Sequence, residues 1–117
     1  MESLEVSDSQ AAAVAKAPRV TLDDIKSSIK VAYYTTAAAA IDEVKDKDID
    51  KAMSLLTVCF VVTQNNFIVI GKSAPAAPEN FNAELGKKFA YEDCIRQLWP
   101  LMGYALRDRL HNSLKGN

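Results

Sequence analysis

One histidine and two cysteines among 117 residues leave little from which to build a metal centre, a catalytic triad or a disulfide framework. The histidine, His111, stands near the C-terminus with no nucleophile close by in sequence. The cysteines lie apart, Cys59 in an apolar run and Cys94 in a helical pattern. Both read as small buried hydrophobes of a reducing compartment. Charge of either sign is also lacking in excess. The formal net charge is −1, whereas general nucleic-acid or membrane-surface binders carry a marked basic surplus. No long apolar run occurs. The longest, at residues 58–62, falls far short of a membrane span. Residues 1–5 show neither the basic start nor the apolar stretch of a secretory leader, so the expectation is a cytoplasmic protein.

What is present fits one globular domain. Apolar residues make up 49% of the chain and charged residues 25%, ordinary values for a folded protein of this size. Residues 1–17 are rich in Ser, Ala and acids without an apolar period, which predicts a flexible tail. The domain is expected over 18–113. Thr21 offers an N-cap, Asp24 a reciprocal partner three residues on, and Val20 and Ile25 a hydrophobic staple. Leu22, Ile25, Ile29 and Ala32–Tyr33 recur at helical spacing and predict a helix over 22–34. Residues 37–50 combine four alanines with a charged run, which reads as a solvated helical piece. A calcium loop is excluded there by the lack of a turn glycine.

Residues 55–63 and 67–72 are dense in Val, Ile, Phe and Thr around Gln64-Asn65-Asn66, predicting an antiparallel hairpin. Both of its faces are apolar, so both are expected to be covered. Pro78 suits the first turn of a helix. Phe81, Leu85, Phe89, Ile95, Leu98–Trp99, Met102, Leu106 and Leu110 then follow one helical face. Pro100 predicts a kink between helices over 78–98 and 100–111. Gly86, in mid-helix, suggests another backbone passing close. The expected fold is α+β: an N-terminal helix, a two-stranded antiparallel β-hairpin and a long kinked C-terminal helix.

Several stretches match a pattern. Asn65-Asn66-Phe67-Ile68-Val69-Ile70-Gly71-Lys72-Ser73-Ala74 follows N-G-F-x-V-x-G-E-S-A. Ala77-Pro78-Glu79-Asn80-Phe81-Asn82-Ala83-Glu84-Leu85-Gly86-Lys87-Lys88-Phe89-Ala90 follows S-P-E-N-F-D-x-E-I-G-x-K-I-A. Leu98-Trp99-Pro100-Leu101-Met102-Gly103-Tyr104-Ala105-Leu106 follows I-W-P-L-x-G-Y-x-L. With a weaker match over 19–34, the chain resembles a family of small tailed-phage proteins of N4-like and Sf6-like phages. Asn66 replaces a glycine, Lys72 a glutamate and Ala77 a serine. The resemblance implies a non-virion accessory protein of the infected host cytoplasm, with no enzymatic activity attached to it. By analogy with other small phage proteins, it is expected to blunt host defence by sequestering a nucleotide-type immune signal. The alternative is a protein–protein inhibitor that occludes a host enzyme or defence protein.

The candidate ligand-binding residues are Lys72, Ser73, Asn80, Lys87, Lys88, Trp99 and Tyr104. Lys72 and Ser73 end a strand just before an expected helix N-terminus, whose free N–H groups favour anions, and Lys87 and Lys88 follow along that helix. Ordinary capping and a solvated face account for the same residues, and Glu79 competes with an anion for the positive end. Trp99, Tyr104 and Tyr33–Tyr34 can stack on a planar ligand or pack a core. No catalytic residue, metal or cofactor is expected. A homo-oligomer is expected, because an isolated hairpin is marginal in water and its edges carry unpaired backbone groups.

Overall fold

The computed structural model describes residues 3–115, which divide into two compact units, 3–28 with 95–115 and 29–94. The second unit is built on a sheet. Strands β1 (Ile29–Thr36), β2 (Thr57–Thr63) and β3 (Ile68–Ser73) pair antiparallel in the order β1-β2-β3. The expected two-stranded hairpin is therefore two-thirds of a three-stranded sheet. Its added strand comes from residues expected to continue a helix. Ser28 ends that helix early, its hydroxyl donating to the Ile25 carbonyl at 2.6 Å, a local bond that competes with helical continuation. Beyond it Val31, Tyr33, Tyr34, Thr35 and Thr36 are β-branched or aromatic and fit a pleated surface. Pairing with β2 then overrides a helical period carried by only a few positions.

Between β1 and β2 run two short helices, α3 (Ala37–Ala40) and α4 (Lys47–Met53), with no buried residue. Thr36 caps the first and Asp46 the second, as suits a solvated charged stretch. The β2–β3 turn places Asn66 at φ 66°, the left-handed region that asparagine tolerates and glycine adopts freely.

Strand β2 alternates strictly. Thr57, Cys59, Val61 and Thr63 are buried, and Val58, Phe60 and Val62 are more exposed. The buried side faces the first turns of the long C-terminal helix. There Cys94 Sγ lies 3.6 Å from the Cys59 carbonyl oxygen and 3.8 Å from that of Val69. Cys59, Val61, Val69, Ala90 and Cys94 form this unit's core. Among the described residues of this unit the opposite side is left open, with Tyr33, Ile68 and Ile70 exposed and Val31, Val58 and Val62 half-buried, where cover on both faces was expected.

Pro78–Asn80 forms a single 3-10 turn, and Ala77 gives it no side-chain cap. The long helix begins later, at Ala83, where Asn82 Oδ1 accepts from the Leu85 amide at 3.0 Å. This helix, α5 (Ala83–Lys115), runs unbroken through Pro100. The two helices expected, 78–98 and 100–111, are thus one continuous helix. A proline costs the helix one donor, to the Arg96 carbonyl, and Arg96 is exposed.

In the other unit, α1 (Leu4–Val14) lies within the stretch assigned to a tail, and no residue of it is buried. Polar contacts attach it. Asp8 pairs with Arg19 at 2.8 Å and accepts from the Leu22 amide at 3.1 Å. The Asp8 carboxyl is held below its ordinary range by the Arg19 hydrogen bond first and the Leu22 amide second. Helix α2 (Leu22–Ser28) opens with the expected capping box. The Asp24 amide donates to Thr21 Oγ1 at 3.0 Å, and the Thr21 amide donates to Asp24 Oδ2 at 2.8 Å. The buried apolar residues here are Leu22, Ile25, Ile95 and Leu98. Ile25 and Ile95, both almost wholly enclosed, contribute roughly 1.5–3 kcal/mol each. Trp99 is half-buried, less enclosed than its place on the apolar stripe suggests.

Candidate binding grooves beside Phe81

Two adjoining grooves lie in the 29–94 unit, on the helix-covered side of the sheet. The first, about 170 Å³, is walled by Leu55, Phe81, Leu85 and Phe89, with Thr57, Ser73, Asn80 and Asn82 as its polar residues. The second, about 300 Å³, is lined by Tyr34, Thr36, Ala39, Phe81 and Lys87. Phe81 and Thr57 belong to both. Local structure explains the opening. The 3-10 turn at Pro78–Asn80 delays the helix start and leaves Phe81 in extended conformation and 37% exposed. Leu85 and Phe89, one and two turns on, remain 46% and 47% exposed.

Gly86 sets the spacing of the first wall. A β-carbon there would meet Thr57 Oγ1 at 2.6 Å, so the close neighbour is a strand side chain where a backbone was expected. The Tyr34 phenol is pushed up to about 12, first by burial and then by Cys59 beside it. It therefore stays an O–H donor throughout the physiological range. Both thiols are raised as well, Cys94 to about 12, with burial the largest cause. Neither offers a thiolate nucleophile in the folded chain.

Of the candidate residues read from the sequence, the structure brings Ser73, Asn80 and Lys87 to these grooves. Lys87 also lies 3.9 Å from Glu84. Lys72 and Lys88 line neither groove. The Lys72 side chain stands on the uncovered side of the sheet, and its backbone amide donates to Asp93 at 2.9 Å. Because Pro78–Asn80 is only a 3-10 turn, the helix N-terminus expected beside Lys72 and Ser73 lies at Ala83, capped by Asn82. Trp99 and the exposed Tyr104 belong to the other unit. Sequence reasoning assigned Phe81, Leu85 and Phe89 to a core stripe, and periodicity cannot separate a core stripe from a groove wall.

Among the described residues no group of three or more His, Cys, Asp or Glu side chains is placed to hold a metal. Among the same residues no helix is long and apolar enough to cross a membrane. The grooves can hold a planar or apolar group against Phe81 and Phe89, with hydroxyl, amide and ammonium groups at their rims. The family model described as Phage protein (N4 Gp49/phage Sf6 gene 66) family matches residues 20–110. No curated protein and no solved structure matches the chain.

Proposed function

The chain belongs to the phage protein family of N4 Gp49 and Sf6 gene 66, and we propose that it is an accessory protein that works in the infected host cell by binding, without catalysis. The paired grooves around Phe81 carry this reading, because they gather aromatic walls and a few polar groups in one place. The ligand class they suit is a nucleotide-type immune signal. A base would lie against Phe81 or Phe89, with Lys87, Ser73 and Asn80 near its polar groups. Sequestering such a signal would blunt a host defence.

A second reading has its own support. Leu85 and Phe89 on one face of α5, with Phe81 just before its start, form a half-exposed apolar ridge, and such a ridge also fits a host protein that the chain occludes. Thermal shift against cyclic dinucleotides and ADP-ribose-type signals separates the two. Sequestration predicts a raised melting temperature that Phe81→Ala removes. No shift with any signal, together with a host protein retained by the wild type and lost with Phe81→Ala, would favour occlusion. Infection of defence-bearing strains, with and without the gene, tests the anti-defence role.

A further inference from the structure

We infer that the uncovered face of the sheet is a docking surface for a second copy of this chain. Register builds the face in three cross-strand rows: Val31–Val62–Ile68, Tyr33–Phe60–Ile70 and Thr35–Val58–Lys72. Tyr33, Ile68 and Ile70 are 64%, 60% and 54% exposed. A sheet side meant for water alternates towards polar residues, yet two of these rows carry no charge at all. Apolar patches of this kind mark interaction sites.

The charge layout selects a second copy as occupant. Lys72 is the one charged side chain in the three rows and sits on an edge strand. An acidic partner would find a single cation, and a basic partner nothing to pair with. Another copy brings the same nearly uncharged rows. A two-fold axis along β2 exchanges β1 with β3, so Tyr33 of one copy lies over Ile70 of the other. Lys72 then faces Thr35, and the two lysines stay on opposite edges, about two strand spacings or 10 Å apart. Phe60 meets its own equivalent near the axis. Two such faces pack about 10 Å apart as a small sandwich.

The footprint is limited, roughly 300 Å² from strand spacing and rise, so the dimer belongs to the small, reversible class. The grooves beside Phe81 open on the other side of the sheet and meet this face only at Thr35, which lines the second groove. Ile70 lines neither groove, so a substitution there separates dimerisation from ligand binding.

Light scattering after size exclusion reads the mass directly. The expected result is a rise from one chain of 12.8 kDa towards two as concentration climbs through about 1–100 μM, the range of weak association. Ile70→Lys should hold the mass at one chain while its circular dichroism stays native. Should that variant misfold, mixed Tyr33→Cys and Ile70→Cys chains carry the test. A short bismaleimide should join the two variants to each other faster than either to itself, the native thiols being buried. A single-chain mass at every concentration would overturn the inference. So would a dimer that survives Ile70→Lys without the mixed cross-link, or a pure single chain whose face is protected only by a host protein.

Discussion

Gly71 of β3 lies directly beneath Ala90 of α5: a β-carbon on Gly71 would stand 2.1 Å from the Ala90 carbonyl oxygen and 2.7 Å from Cys94 Sγ. No side chain can occupy that space without lifting the helix from the sheet. The floor of the 29–94 unit rests on this contact.

Gly71→Ala should therefore destabilise strongly, at or beyond the roughly 1–3 kcal/mol typical of overpacked cores, because the obstructing atom is backbone. Gly86→Ala should cost less. It meets only the Thr57 hydroxyl, at 2.6 Å, and gains up to about 1 kcal/mol of helix propensity. Urea titration of both variants checks the order; equal midpoints would contradict it.

The β2–β3 turn gives a second test. Asn66 holds φ at 66° and accepts from Lys30 Nζ at 2.5 Å. Asn66→Ala should cost roughly 1–2 kcal/mol, the left-handed penalty of an ordinary side chain. Asn66→Gly should be much milder, because glycine adopts this region freely. Thermal melts of the pair measure the difference.

The thiols provide a third. Cys59 and Cys94 are fully enclosed and their pKa values are raised, so neither should react with a thiol reagent at pH 8 until the chain unfolds. Two equivalents should then react in denaturant. Rapid labelling in native buffer would contradict the buried core.

The N-terminal helix yields a pH prediction. Asp8 is depressed below its ordinary value, by Arg19 first. A carboxyl lowered in the folded state stabilises fully above its unfolded pKa, near 4, and that contribution fades as pH falls through the folded value. Attachment of α1 should thus weaken only below about pH 4. Asp8→Ala should weaken it at neutral pH and speed proteolytic trimming towards Pro18. Residues 18–115 should still fold alone, since α1 buries no residue. Limited proteolysis and expression of the truncated chain check both points.

Much of this architecture was legible in the residues. The Thr21–Asp24 box, the turn at Asn66, strands two and three, and the buried thiols follow from capping, turn chemistry and apolar alternation. Strand β1 was not, because Ile29 and Ala32–Tyr33 recur at helical spacing, and only pairing with β2, with its register irregularity between Ile29 and Val31, overrides that period. The grooves were half legible. Ser73, Asn80 and Lys87 stand out by chemistry, but Phe81 and Phe89 look like any core stripe until the 3-10 turn shifts the helix start. Trp99, the most conspicuous aromatic, proved half-buried in the other unit.

Isothermal titration of the wild type and Phe81→Ala with cyclic dinucleotides and ADP-ribose-type signals tests the central claim most directly. The account predicts saturable binding of one such signal at one site per chain, lost or weakened at least tenfold by Phe81→Ala with the fold intact. Heat of dilution alone across the whole panel, or binding that Phe81→Ala leaves unchanged, would contradict it.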